Sequence, residues 1–210
     1  KGSGAGSFGV ITKYYIKTSP IPPPFFQFSL SFTYERDTIV DIVKAYKHLT
    51  EIQPTWAVEG NLFPIDITDP AQIALFPSGF LFSISGEYFG DDIDGAKDIL
   101  NNEVINYSPN TASSYREIAS SMNEDVSYES FLDNPSDIVQ TSRNAAYSDN
   151  RMIFDTANVD LFLESIFEWH WNSFINNTDD TICGPNSILK CAFGSLLLFD
   201  FWGTTLFDQD

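Results

Sequence analysis

Residues 25–34 alternate without a break: Phe26, Phe28, Leu30, Phe32 and Tyr34 fall on one side, Gln27, Ser29, Ser31 and Thr33 on the other. A two-residue period sends successive side chains to opposite faces of a strand, so one face of this strand meets a core and the other stays polar. Strands of parallel sheets are buried on both faces and read as continuous apolar runs. The pattern therefore predicts an antiparallel sheet, covered on one face.

The rest of the chain supplies the cover. After Asp37, read as an N-cap, Ile39, Val40, Val43, Tyr46 and Leu49 recur at helical spacing up to Pro54. Residues 56–67 and 79–89 read as two further strands, and residues 93–100 as a short helix carrying Ala96 and Ile99. Residues 101–150 are rich in Ser, Asn and Asp and poorly periodic; they read as loops with helical turns near 115–121 and 128–132. Residues 157–175 form the strongest helical pattern, with His170 on the apolar face, and residues 193–202 are again strand-like. The expected class is α+β: a mostly antiparallel sheet covered by helices on one face.

Charge narrows the partners. Eleven Lys and Arg against 29 Asp and Glu leave a formal charge of −18. Such a field repels phosphate backbones and anionic lipid, so neither nucleic acid nor a membrane surface is an expected partner. No apolar run approaches the roughly 20 residues of a membrane span. With 19 Phe, 9 Tyr and 4 Trp the chain has the bulky side chains that repay chain entropy, which excludes disorder. Both ends read as cut, as in a processed chain or a fragment of something longer.

Cys183 and Cys191 flank a Gly-Pro-Asn turn. Either they close a small disulfide loop or they are two separate buried thiols; no CxxC or His-rich surrounding suggests zinc. Asn176-Asn177-Thr178 and Asn106-Tyr107-Ser108 match the glycosylation acceptor pattern, the second weakened by Pro109. Together these lean towards a secreted, extracellular protein. No nucleophile elbow, zinc-protease helix or phosphate-binding loop motif is present in the sequence.

At the N-terminus, residues 4–9 satisfy G-x-G-x-x-G, but a dinucleotide fingerprint needs a preceding strand and a following helix, and here a strand follows. The longer string Gly2-Ser3-Gly4-Ala5-Gly6-Ser7-Phe8-Gly9-Val10-Ile11-Thr12 resembles the signature of the berberine-bridge-enzyme-like FAD-linked oxidases, which include the carbohydrate (oligosaccharide) oxidases. Two further phrases are similar to the family: Gly86-Glu87-Tyr88-Phe89-Gly90, and residues 196–203 ending in Phe201-Trp202-Gly203.

The resemblance implies a C-terminal, substrate-binding portion. Residues 1–18 would close the FAD-binding domain and cross over, and residues 19–210 would form the substrate-binding α+β domain. Gly4, Gly6, Ser7, Phe8, Gly9 and Val10 would approach FAD by backbone, since a Cβ there would clash. Aligned on Gly203, Asp200 takes the family's acidic or polar position and Trp202 its aromatic or His position, while Leu198 stands where the family often has a catalytic Glu or a Gln. Cys183 and His170 stand in the wrong half to be the family's flavin tethers. FAD would come mainly from an FAD-binding domain or chain outside this sequence.

Asp200 lies between Phe199 and Phe201. Facing a flavin, a desolvated carboxylate there would take a hydroxyl proton; turned outward, it is merely solvated. Trp202 would stack on a sugar. The expected function is oxidation of an alcohol or saccharide hydroxyl by hydride transfer to flavin, with O2 as acceptor. A second expectation, of a different class, is a non-catalytic carbohydrate-binding or interaction protein on the same scaffold. Visible absorbance separates the two.

Overall fold

The computed structural model describes residues 23–66, 68–133, 159–175 and 197–199. Five strands, β1 (Phe25–Thr33), β2 (Ala57–Pro64), β3 (Phe80–Tyr88), β4 (Ser121–Val126) and β5 (Leu197–Phe199), form one sheet in the order β4-β1-β3-β2-β5. Every pairing is antiparallel. The helices are α1 (Ile39–Ile52), α2 (Pro70–Leu75), α3 (Ile93–Ile99), α4 (Pro109–Ser114), α5 (Tyr128–Asp133) and α6 (Val159–His170). The fold is α+β, as the alternation of β1 and the order of elements predict.

The apolar half of β1 is wholly inside: Phe26, Phe28, Leu30, Phe32 and Tyr34 are at most 1% exposed. They join Phe80, Phe82 and Ile84 of β3 and Leu62 of β2 in one core. α1 covers this face with Ile39, Ile42, Val43, Tyr46 and Leu49, and α6 adds Leu163 and Phe167. Tyr46 lies over β2 at Gly60, where a Cβ would stand 2.8 Å from its ring carbons; only glycine leaves that space. The Tyr46 hydroxyl then donates to the Val58 carbonyl at 3.2 Å.

Local chemistry corrects several expectations. Thr38, not Asp37, holds the cap position of α1 and makes no side-chain cap bond; the Thr38 and Ile39 amides donate instead to the Glu35 carbonyl, at 3.2 and 3.0 Å. α2 was not expected, although Asp69 caps it by accepting from the Ala71 amide at 2.9 Å and Pro70 opens its first turn. α3 does not stop near residue 100 but widens into a π-helical turn over Leu100–Ile105, which buries Leu100 and Val104. Residues 121–126, read as loop, form the edge strand β4. Its Ser-Met-Asn-Glu-Asp-Val run carries no apolar alternation, and the backbone of β1 supplies the pairing. Asp125, with φ of 54°, sits where the β1–β4 register shifts.

The strongest expected helix is present as α6, continued by a π-helical turn over Trp171–Ile175. Residues 1–22, all of 134–158, and most of the expected strand at 193–202 lie outside the described residues.

Candidate functional site

Alternation leaves β1, β2 and β3 with a second face, opposite the helices. Because directly paired residues share a face, the register defines its rows. Gln27 of β1 pairs with Glu87 of β3, which pairs with Ala57 of β2. Ser29 pairs with Ser85 and Ser85 with Glu59; Ser31 pairs with Ser83 and Ser83 with Asn61; Thr33 pairs with Leu81 and Leu81 with Phe63. β4 extends two rows with Ser121 and Asn123. The face therefore runs from carboxylates, carboxamides and hydroxyls at one end to Leu81 and Phe63 at the other.

These side chains are bonded into the sheet at definite places. The Ser29 and Ser83 hydroxyls meet at 3.3 Å, and the Ser85 hydroxyl donates to Glu59 Oε1 at 3.4 Å. The Ser31 hydroxyl donates to the Ala119 carbonyl at 2.8 Å, and the Ser31 amide donates to the Ser120 hydroxyl at 2.9 Å. This pins the 117–119 turn, one turn of 3-10 helix, against that end of β1.

Glu87 is the electrostatically unusual member. It is half-buried on the central strand, and burial pushes its carboxyl above the ordinary glutamate range. A hydrogen bond from Gln27 pulls it back part of the way, and the neighbouring Glu59 charge pushes it further up. No lysine or arginine among the described residues forms an ion pair with Glu59 or Glu87; the four pairs described are Arg36–Glu168, Lys47–Glu51, His48–Glu103 and Lys97–Glu124.

Of the residues singled out in sequence, only Asn106 among the expected sites is described. It is exposed at the end of the π-helical turn after α3, and its Nδ2 donates to the Asn101 carbonyl at 2.9 Å. The Ser108 hydroxyl of its sequon is engaged in capping α4 and in donating to Asp41 Oδ2 at 3.1 Å. Gly4, Gly6, Ser7, Phe8, Gly9, Val10, Asn176, Cys183, Cys191, Asp200 and Trp202 lie outside the described residues. β5 brings the chain to within one residue of Asp200, and Leu198 stands opposite Asn61 of β2.

His170 is the satisfied core histidine expected of an apolar helix face. It is 0% exposed, its Nδ1 lies 3.0 Å from the Tyr34 hydroxyl, and Phe80 meets its ring edge-on at 5.1 Å. Burial lowers its pKa to about 4, so it is neutral near pH 7. His48 is half-buried with its Nε2 2.9 Å from Glu103 Oε2. Trp56 is buried against Phe28 and Tyr88, and Trp169 is 56% exposed.

Sequence reasoning named Glu87 only inside a resemblance and passed over Glu59. For Glu87 the signal was available: in β3, Ser83, Ser85 and Glu87 alternate with Phe82, Ile84 and Gly86, the same two-faced pattern as in β1. The described face suits hydroxyl-bearing ligands. Among the described residues of this face there is no run of glycines of the kind that cradles a pyrophosphate. Among the described residues no group of three or more His, Cys, Asp or Glu is arranged to hold a metal ion, and no helix is long and apolar enough to cross a membrane. No protein-family model, curated protein or solved structure matches this chain.

Proposed function

We propose that the chain is the substrate-binding portion of an FAD-dependent oxidoreductase that oxidises an alcohol or saccharide hydroxyl with O2 as acceptor. The observation that carries this reading is the two-faced sheet: helices pack on one face, and the other carries hydroxyls, carboxamides and two carboxylates, of which Gln27, Ser29, Ser85, Glu59 and Glu87 are at least partly exposed while Ser31, Thr33, Ser83 and Asn61 are buried. Such a surface suits a ligand held by hydrogen bonds at several points. The glycine-rich string 2–12 and the 196–203 phrase add the family resemblance, and β5 is placed on the same sheet.

In this reading FAD is held mainly by an FAD-binding domain or chain, with Gly4, Gly6, Ser7, Phe8, Gly9 and Val10 as this chain's approach to it. When bound, the cofactor supplies the two-electron acceptor that O2 restores. This chain's residues bind and orient: Trp202 stacks on the sugar face, and Asp200 holds the hydroxyl proton. Secretion, with glycans at Asn176 and Asn106 and a Cys183–Cys191 disulfide, belongs to the same proposal.

One observation favours a second reading, a non-catalytic carbohydrate-binding protein on this scaffold. Leu198, at the position where the resembling family often carries its base, is apolar and stands opposite Asn61. The visible spectrum and intact mass of native material test the choice. Flavin bands with a co-purifying partner of FAD-domain size are the expected result. A colourless species of the chain's mass plus glycan would sink the oxidase and leave the binding protein.

A further inference from the structure

α6 carries more apolar surface than its place on the sheet uses. Leu163, Phe167 and His170 point into the core and are at most 2% exposed, and Phe162 and Ile166 are half-buried beside them. The outer flank holds Leu161, Ser165 and Trp169, neighbours at a spacing of four, with Leu161 64% and Trp169 56% exposed. About 12 Å of helix separates these two apolar residues. Ser165 between them is small, and its hydroxyl donates back to the Leu161 carbonyl at 2.7 Å, so a gap stands between two apolar knobs. Along one border of the stripe run Glu164 and Glu168, both exposed. Glu168 is paired with Arg36 at 3.1 Å, and Glu164 has no cationic partner among the described residues. A helix flank that faces only water is ordinarily polar, and this one is not.

A stripe of this shape fits another helix, whose side chain enters the gap over Ser165 while Leu161 and Trp169 flank it. Charge decides which helix. In an antiparallel pair of two copies, the two-fold axis would set the Glu164–Glu168 border against itself, between chains that each carry −18. In a parallel pair each border would lie against the apolar Phe162 and Ile166 of the other copy. A helix with lysine or arginine beside its apolar row meets the border with the opposite sign, and Trp169 offers an aromatic face to the same cations. We propose that the outer flank of α6 docks a basic amphipathic helix of a partner protein, with Leu161 and Trp169 as its anchors and Glu164 as the charge that orients it. The inference does not depend on the oxidase reading.

The test is to titrate dye-labelled, tryptophan-free peptides with the full 210-residue chain at about 150 mM salt, reading peptide anisotropy and tryptophan emission together. The chain binds a leucine–lysine peptide of about 21 residues in heptad pattern, with a blue shift of its emission. It binds neither the leucine–glutamate counterpart nor a leucine–lysine peptide of the same composition in scrambled order. Trp169→Ala and Leu161→Ala each weaken binding about tenfold, and Glu164→Gln lessens its dependence on salt. Trp169→Phe keeps the binding and loses most of the shift, while Ile118→Ala, at another exposed apolar residue, changes neither. Leu161, Glu164 and Trp169 are exposed, so their variants leave the core intact. Failure to bind the heptad peptide, equal binding of the scrambled one, or affinity unaltered in both alanine variants overturns the proposal. So does dimerisation of the chain that the alanine variants abolish, which gives the flank to a second copy. An emission shift with phosphatidylcholine vesicles but not with peptide overturns it in favour of lipid.

Discussion

At the scale of single residues, the Tyr34–His170 pair is where packing and protonation meet. Tyr34 is buried with its hydroxyl against both the Phe167 carbonyl, at 3.4 Å, and His170 Nδ1. That burial raises the phenol's pKa and keeps it protonated. His170 in the folded protein titrates near 4, below the ordinary value of 6.5, because the charged imidazolium is disfavoured by burial. The unfolded chain therefore takes up the proton first. Stability supplied by the neutral ring is complete above pH 6.5 and is lost as pH falls towards 4, a change of about 3 kcal/mol at the lower end. Glu35 and Glu87, both raised chiefly by burial, act in the opposite direction, since the folded state binds their protons more readily. The histidine part is isolated by comparing wild type with His170→Gln in urea unfolding between pH 7 and pH 4. The gap between the two narrows or reverses as pH falls; parallel curves would show that His170 remains neutral in both states.

At the scale of elements, short helices here are decided by their ends. α4 has only six residues, but Ser108 accepts from the Thr111 amide at 3.2 Å while Thr111 Oγ1 accepts from the Ser108 amide at 2.8 Å. Pro109 opens the turn, and Asp41 Oδ2 receives both the Ser108 hydroxyl and, at 2.7 Å, the Asn110 amide. Ser108→Ala removes the cap and one of the two ties to α1, so it lowers stability by about 1 kcal/mol. Denaturant midpoints of the variant measure this, and a change within about 0.2 kcal/mol would mean that water replaces the cap at no cost. The same contrast explains what sequence disclosed. β1, β3, α1 and α6 are legible because burial writes a period of 2 or 3.6 into their apolar residues. β4 is not, because an edge strand facing solvent needs only backbone pairing. α2 hid behind its brevity, and the π-helical turn behind a helix that shows no sequence stop at residue 100. Glu59 was illegible for another reason: a carboxylate on a strand's outward side looks like ordinary surface until the register sets it beside Glu87.

For the molecule as a whole, an excess of 18 negative charges is distributed over a fold whose described ion pairs are all at least partly exposed. Exposed pairs are worth little and lose that little to salt, whereas general repulsion between like charges is relieved by it. Added salt therefore stabilises this protein, by on the order of 1 kcal/mol between about 20 mM and about 200 mM NaCl. Urea midpoints at constant slope register the gain, and a fall would show that local pairs outweigh the overall field. The architecture itself was predictable as a one-sided antiparallel sheet, but the order β4-β1-β3-β2-β5 was not: nothing in the periodicity tells β1 to skip its nearest successor.

That skip sets a timetable for synthesis. The Ser29 and Ser83 hydroxyls meet diagonally across β1 and β3, yet the two residues lie 54 apart in the chain. At about 5–20 residues per second, roughly three to ten seconds pass before the ribosome makes the partner of β1. For that interval a strand bearing four phenylalanines, Phe25, Phe26, Phe28 and Phe32, has no neighbour on either edge. What arrives first is α1, whose Ile39, Ile42, Val43, Tyr46 and Leu49 are made within a second or so at the faster of those rates and belong to the same apolar layer. The helix is thus both a lid on the finished sheet and the earliest companion of its most aggregation-prone strand.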